Sequence, residues 1–272
     1  MIEKSSFLIG LIFLSLISLK GQENNFPYHL NKTDFVLLPL GYAIGKHSNI
    51  KQKQVKPLEY SELVQLDYKT INSIDRLAVH NWNNELGHLS DKTRSALVDL
   101  PIALIVGQAV GGNVKNMFTL GLMYVETITL TSEVTSLVKT LAQRKRPYLY
   151  STKLSMEEKA AILGHNVTNS FFSGHTSMAF TSAVFLSKTI TDIYGKSLLS
   201  KSVWIASLSV AGLTGFLRYE SGRHFPSDVV MGALAGSAIG YLVPVLHKSE
   251  KINENFNIEL SAGYIKLTYT IG

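Results

Sequence analysis

The 272-residue sequence contains no cysteine. Disulfides, thiolate nucleophiles, zinc–thiolate sites and a lipidated cysteine anchor are excluded together, and the lack suits an exported chain that avoids stray oxidation. Charge is also sparse. Asp, Glu, Lys and Arg make up 17% of the chain, below the roughly 25% of a typical soluble domain. There is no internal repeat, no low-complexity tract and no carboxylate cluster at metal-ligand spacing, and alternating segments are too few for an outer-membrane barrel.

What is present is apolar. Hydrophobic residues reach 46%, enough for the core of one large domain or two small ones, and the aliphatic runs concentrate after Ala96. Lys and Arg number 26 against 20 Asp and Glu, a net charge of +6 that is locally dense only from Lys139 to Lys153. By itself such a charge suits an anionic substrate, a membrane surface or nucleic acid alike.

The N-terminus carries Lys4, an apolar run from Phe7 to Leu19, the small residue Gly21 and then polar Gln22 to Asn25, which predicts a signal peptide over residues 1–21 and hence export. The 13-residue run is shorter than the roughly 20 residues a helix needs to cross a bilayer, which favours cleavage over retention as an anchor. Residues 22–95 form a polar N-terminal region. Within it Leu63, Leu66, Ile71, Ile74, Leu77 and Ala78 recur at helical spacing, predicting one peripheral helix over Leu58–Trp82.

Four or five apolar helices follow, at about Ala96–Val110, Met117–Val138, Thr176–Thr191, Leu198–Leu217 and Asp228–Val245. Gly, Ser and Thr interrupt them, with a few charges such as Glu126 and Glu133, a pattern that fits a buried soluble bundle or a membrane bundle with small residues at its contacts. In residues 249–272 alternation from Phe256 to Ile271 about Ala262 and Gly263 predicts a short β-hairpin. If the signal is removed and all five helices cross, the loops Lys139–Phe172 and Arg218–Pro226 both fall outside. The basic residues of the first loop then oppose the positive-inside rule, unless they are there to bind phosphate.

Three segments separated by helices carry chemistry suited to phosphate. In the first, Lys139 closes a helix and Arg146 follows, with Pro147 forcing extended geometry on the arginine before it. A planar guanidinium can hold two phosphoryl oxygens while lysine adds a point charge. In the second, Phe172-Ser173-Gly174-His175-Thr176 precedes an apolar helix. Ser173 or Thr176 can cap it, Gly174 lets backbone N–H groups approach an anion, and His175 is placed to protonate a leaving alkoxide. The third runs from Arg218 through His224 to Asp228. Asp228, one helical turn beyond His224, can accept from Nδ1–H and leave Nε2 free as a nucleophile, while Arg218 neutralises charge on the equatorial oxygens. Each segment has a plainer explanation alone: a basic helix end, a helix cap beside an exposed histidine, a capping Asp with a bystander His. Their occurrence in order on one chain weighs against that.

Together the segments resemble the signature of the type 2 phosphatidic acid phosphatase and vanadium haloperoxidase superfamily: K-x6-R-P, P-S-G-H and S-R-x5-H-x3-D. Lys139, Arg146 and Pro147 match the first; Ser173, Gly174 and His175 the second; Arg218, His224 and Asp228 the third. Phe172 stands where the family usually has proline, loosening the loop before Ser173, and Leu217 where it usually has serine, removing one phosphate hydrogen bond.

The resemblance covers about Ala96 to Val245 and implies an all-α, membrane-embedded helical bundle, with residues 96–248 as the catalytic unit. It further implies a metal-independent phosphatase with no cofactor. His224 attacks phosphorus to give a phosphohistidine, Asp228 orients it, and His175 protonates the departing oxygen and then activates water. Lys139, Arg146, Ser173, Gly174 and Arg218 hold the phosphoryl group. The expected partners are a phosphorylated lipid or small phosphate ester and a membrane, not nucleic acid, with the site on the periplasmic or extracellular side. Two rivals are a vanadium haloperoxidase, in which His224 ligates vanadate, and a non-catalytic lipid-binding protein that kept the pocket.

Overall fold

A computed structural model describes residues 26–30, 32–248, 256–261 and 264–269. The signal segment expected over 1–21 lies outside the described residues, as does the Ala262–Gly263 turn. The helices in chain order are α1 Asp34–Gln52, α2 Tyr60–Val64, α3 Asn84–Val110, α4 Val114–Ala142, α5 Met156–Ala161, α6 Gly174–Tyr194, α7 Leu198–Glu220 and α8 Pro226–Lys248. Strands β1 Phe256–Ser261 and β2 Tyr264–Tyr269 pair antiparallel, with Phe256 opposite Tyr269 and Ser261 opposite Tyr264.

The five long apolar segments expected from sequence are α3, α4, α6, α7 and α8. At the centre stands α6, packed against the other four. Beside an apolar core in which Phe185, Leu186 and Ile190 meet Leu104, Leu120, Met123 and Val203, small and hydroxylated residues make many of its contacts. Thr181 meets Thr131 of α4 at 3.0 Å, Ser177 meets Thr135 at 3.1 Å, Ser182 meets Tyr124 at 3.0 Å and Ser187 meets Ser207 of α7 at 2.9 Å. Against α8 the approach is closer still. A Cβ on Gly236 would lie 2.1 Å from the Ser177 carbonyl oxygen, and one on Gly240 2.5 Å from that of Thr181. Glycine every fourth residue thus lets two backbones touch, the contact that membrane helices favour where burial of apolar area gives no drive.

The outer faces are the reverse. Ile102, Val106, Phe118, Val125, Ile205, Phe216, Leu234 and Leu242 are exposed, while Thr127, Thr131, Thr181, Ser182 and Ser187 are buried. Among the described residues α3, α7 and α8 are long and apolar enough to cross a membrane. A bundle with hydroxyls inside and aliphatic side chains outside is suited to lipid, and the chain is membrane-associated.

Two expectations about the N-terminal region change. Leu58–Trp82 is not one helix but α2 followed by 3-10 turns at Tyr68–Thr70 and Asp75–His80. The Asp67 carboxylate accepts from Lys69 N and Asn72 from Asp75 N, so side chains that compete for backbone donors break the periodic stretch into turns. The second change is α1, a helix within the region expected to be polar. Its buried face is Gly41, Gly45 and Ser48, laid against α4.

Candidate active site

The three signature segments meet at one end of the bundle. α4 delivers Lys139 in its last turn and stops at Gln143, whose φ of 42° ends the helix. Arg146 is extended, with φ −80° and ψ 152°, as the following proline requires. Its guanidinium is held by the Asn166 carbonyl at 2.8 Å and the Arg223 carbonyl at 3.2 Å. α6 begins under a Ser173 cap, whose Oγ accepts from Thr176 N at 3.4 Å and Thr176 Oγ1 at 2.8 Å. The Lys139 ammonium lies where any side chain at position 174 would project, 3.0 Å from an ideal Cβ, so Gly174 brings that charge onto the helix N-terminus.

The loop between α7 and α8 carries His224. Its turn needs Gly222, whose φ is +70° and where a Cβ would fall 2.1 Å from the Asn81 carbonyl oxygen. His224 is 1% exposed, and its Nδ1 lies 2.8 Å from the Ser170 carbonyl. A carbonyl can only accept, so Nδ1 carries the hydrogen and Nε2 keeps its lone pair. Burial, reinforced by the charges of Arg146, Arg218 and Lys139, holds the ring's pKa well below 6.5, against the opposing pull of the Ser170 hydrogen bond. The imidazole is therefore neutral, and three cations named from the sequence act on it.

Asp228 is placed one step further back than the sequence suggests. Its Oδ2 is 3.6 Å from His224 Nδ1, and accepts instead from Ser170 Oγ at 2.5 Å and Phe225 N at 2.9 Å. It fixes the residue whose carbonyl holds the ring. Its Oδ1 accepts from Arg144 at 2.5 Å, and Arg144 also reaches Asp75 at 2.7 Å and Ser227 at 2.8 Å, with its guanidinium 4.1 Å from the centre of the Phe225 ring. Burial pushes Asp75 up, but hydrogen bonds from Ser227, Arg144 and Asn72 outweigh it and keep the carboxylate below its ordinary range.

His175 has a carboxylate partner that no motif supplies. Its Nε2 is 2.6 Å from Asp91 Oδ1 on α3, and the same oxygen is 3.7 Å from Arg218 Nη1. Arg218 also donates to Ser90 at 3.2 Å. The Nε groups of Arg218 and Arg223 are buried without a hydrogen-bond partner. The open Arg218 donor, close enough for its charge to act on both His175 and His224, points to an anion as the missing acceptor, whereas the Arg223 Nε lies over Gly87 of α3.

Arg144, Asp75, Ser170, Asp91 and Arg223 are the site residues that sequence reasoning missed. Only Arg144 and Arg223 carried a signal, as cations inside the signature segments.

Neutral burial of His224 has a pH consequence. An unfolded histidine takes up a proton below 6.5, whereas the folded ring does not. Its contribution to stability is therefore full above that value and shrinks as pH falls below it. Thermal unfolding in detergent should drop between about pH 7 and about pH 5, and less steeply in His224→Gln; equal slopes would contradict the assignment.

Residues 120–251, just under half of the chain, match the model of the PAP2 superfamily. Over 76 residues, 27% of this chain, it is 40% identical to a lipid A 1-phosphatase of Porphyromonas gingivalis. The matched part spans 15% of that relative's length. No solved structure matches the chain.

Proposed function

We propose that this protein is a phosphatase that hydrolyses a phosphate monoester or diphosphate of a lipid through a phosphohistidine on His224. The observation that carries the proposal is the neutral, tautomer-fixed His224 surrounded by Lys139, Arg146 and Arg218, the last with a buried Nε that has no hydrogen-bond partner. Nε2 attacks phosphorus as the bond to the leaving oxygen breaks. The alkoxide takes a proton from His175, which Asp91 orients. In the second half His175 removes a proton from water, hydroxide attacks phosphorus, the P–N bond breaks, and phosphate leaves with His224 restored.

Lys139, Arg146 and Arg218 neutralise the charge on the phosphoryl oxygens, assisted by Ser173 and the backbone at Gly174. This is the task that a magnesium ion performs in many phosphoryl transferases. The lipid nature of the substrate rests on the aliphatic outer surface and on the likeness to a protein described as a lipid A 1-phosphatase. Export, and a site facing the periplasmic or extracellular side, follow from the signal-like N-terminus. The basic Lys139–Lys153 segment stands against the positive-inside rule there because its charges serve substrate.

The test is phosphate release from lipid phosphates by purified protein in detergent, with and without a chelator and with vanadate. Release should persist in chelator and be inhibited by vanadate, which mimics five-coordinate phosphorus. Loss in chelator that magnesium or zinc restores would sink the metal-free mechanism.

A further inference from the structure

At the end of the bundle away from His224, three ionisable side chains that are distant in sequence come together. They are Asp34 at the start of α1, Glu126 in the middle of α4 and His247 in the last turn of α8. One ligand atom from each lies within 4.8 Å of the others. His247 Nε2 is 2.9 Å from Asp34 Oδ1 and 3.2 Å from Glu126 Oε2. Along α8 the trio is about 30 Å from the phosphate site, counting 1.5 Å per residue from Pro226. The proposed phosphatase chemistry makes no use of it.

We propose that these three residues form a binding site for a single divalent transition-metal cation of the zinc or manganese kind. Glu126 and His247 are 0% exposed, and neither carboxylate oxygen of Glu126 has a hydrogen-bond partner. A buried carboxylate whose oxygens lack a hydrogen-bond partner, one of them 3.2 Å from an imidazole nitrogen and beside a second carboxylate, calls for a cation. The imidazole is prepared to serve as ligand. Its Nδ1 lies 2.8 Å from the Val243 carbonyl, which fixes a hydrogen on that nitrogen, while Nε2 donates to Asp34 Oδ1 at 2.9 Å and would exchange that proton for the ion. Metal-binding histidines are oriented in this way.

Charge favours the same reading. Two carboxylates and a neutral imidazole balance one divalent ion. A protonated imidazole alone would leave one negative charge buried and uncompensated. Lys188 and Lys248, at this end of the bundle, are held by Asp192, which Tyr28 also engages. Tetrahedral ligands about 2.1 Å from zinc are separated by about 3.4 Å. The distances of 2.9 and 3.2 Å need open only by a few tenths of an ångström to admit the ion. One nitrogen and two oxygens suit a borderline metal better than calcium or magnesium. A fourth position remains for water, reached from the side of Asp34, whose side chain is partly exposed. Held in this way, the ion would fasten α1 to α4 and α8.

The test uses the full chain in detergent, stripped with a chelator and then given Zn2+ or Mn2+ alone. Metal per chain is measured after gel filtration, and thermal unfolding is followed in parallel. About one equivalent should bind and raise the unfolding temperature by several degrees. Binding and shift should be lost in Glu126→Gln, His247→Ala and Asp34→Asn, and kept in His224→Ala. A wild-type protein that binds no metal, or variants that bind as much as wild type, would overturn the proposal. So would a Glu126→Gln protein that is more stable than wild type with both indifferent to metal, since the trio would then be a strained ion pair relieved by removing a charge. Neither readout involves phosphate release, so this proposal and the phosphatase reading fail separately.

Discussion

His224→Ala should lower phosphate release by at least about 10⁴-fold, the scale reached when a covalent nucleophile is deleted, and should abolish labelling of the chain by phosphorylated substrate. No other group in the site combines a neutral ring, a fixed tautomer and three converging cations. His175→Ala should behave differently. It removes the proton donor of the proposed mechanism, so alkyl phosphates should slow by about 10²-fold or more, while an activated aryl phosphate, which departs without a proton, should slow much less. Both rates are to be measured on protein whose detergent unfolding profile matches wild type. Equal loss of aryl and alkyl hydrolysis in the two variants would remove the division of labour between the histidines.

The second large effect is structural. Gly236→Val should destabilise the bundle by about 3 kcal/mol or more, because overpacking here meets a backbone carbonyl rather than a side chain that can rotate away. The Cβ alone would stand 2.1 Å from Ser177 O. Gly212 on α7 is the control. Nothing lies within 4 Å of a Cβ there, so Gly212→Ala should be neutral or raise stability by up to about 1 kcal/mol through helix propensity alone. Comparable losses in both variants would mean that the α6–α8 contact is not the close one described.

The long helices were legible because lipid-facing aliphatic residues mark them whatever the inner face contains. Their ends were not. α3 starts at Asn84, well before the expected Ala96, since its first turns are polar. Those turns hold Ser90 and Asp91, the partners of Arg218 and His175. α1 stayed hidden for a related reason. Its first half, Phe35 to Ile44, is apolar, and Leu37 and Leu40 pack against the core, but its most buried positions are the small residues Gly41, Gly45 and Ser48 and polar sequence surrounds it.

At the site, the residues that touch phosphate in the proposed mechanism could be named, because that chemistry fixes both residue type and spacing within each segment. The residues that hold them in place could not. Asp75 meets Arg144 across 69 positions, and Asp91 meets His175 across 84. A lone aspartate that far from its partner looks like any surface carboxylate until the chain is folded. Asp228 was found with its role displaced: the i,i+4 spacing to His224 is real, yet the shorter hydrogen bond to the ring comes from the Ser170 carbonyl.

Arg144 grips Asp75 and Asp228 at once, and this bears on where the molecule could be cut. A fragment beginning at Val114 would keep all three signature segments and every helix that carries them. It would lose Asp75, and with it the second carboxylate on Arg144 and two of the hydrogen bonds that seat Ser227. It would also lose Asp91, leaving His175 free to turn. Even a boundary at residue 96 severs both. The smallest piece able to keep the histidines in register begins no later than Asn72, whose side chain holds Asp75, so truncations or insertions between 72 and 95 strike at the site itself.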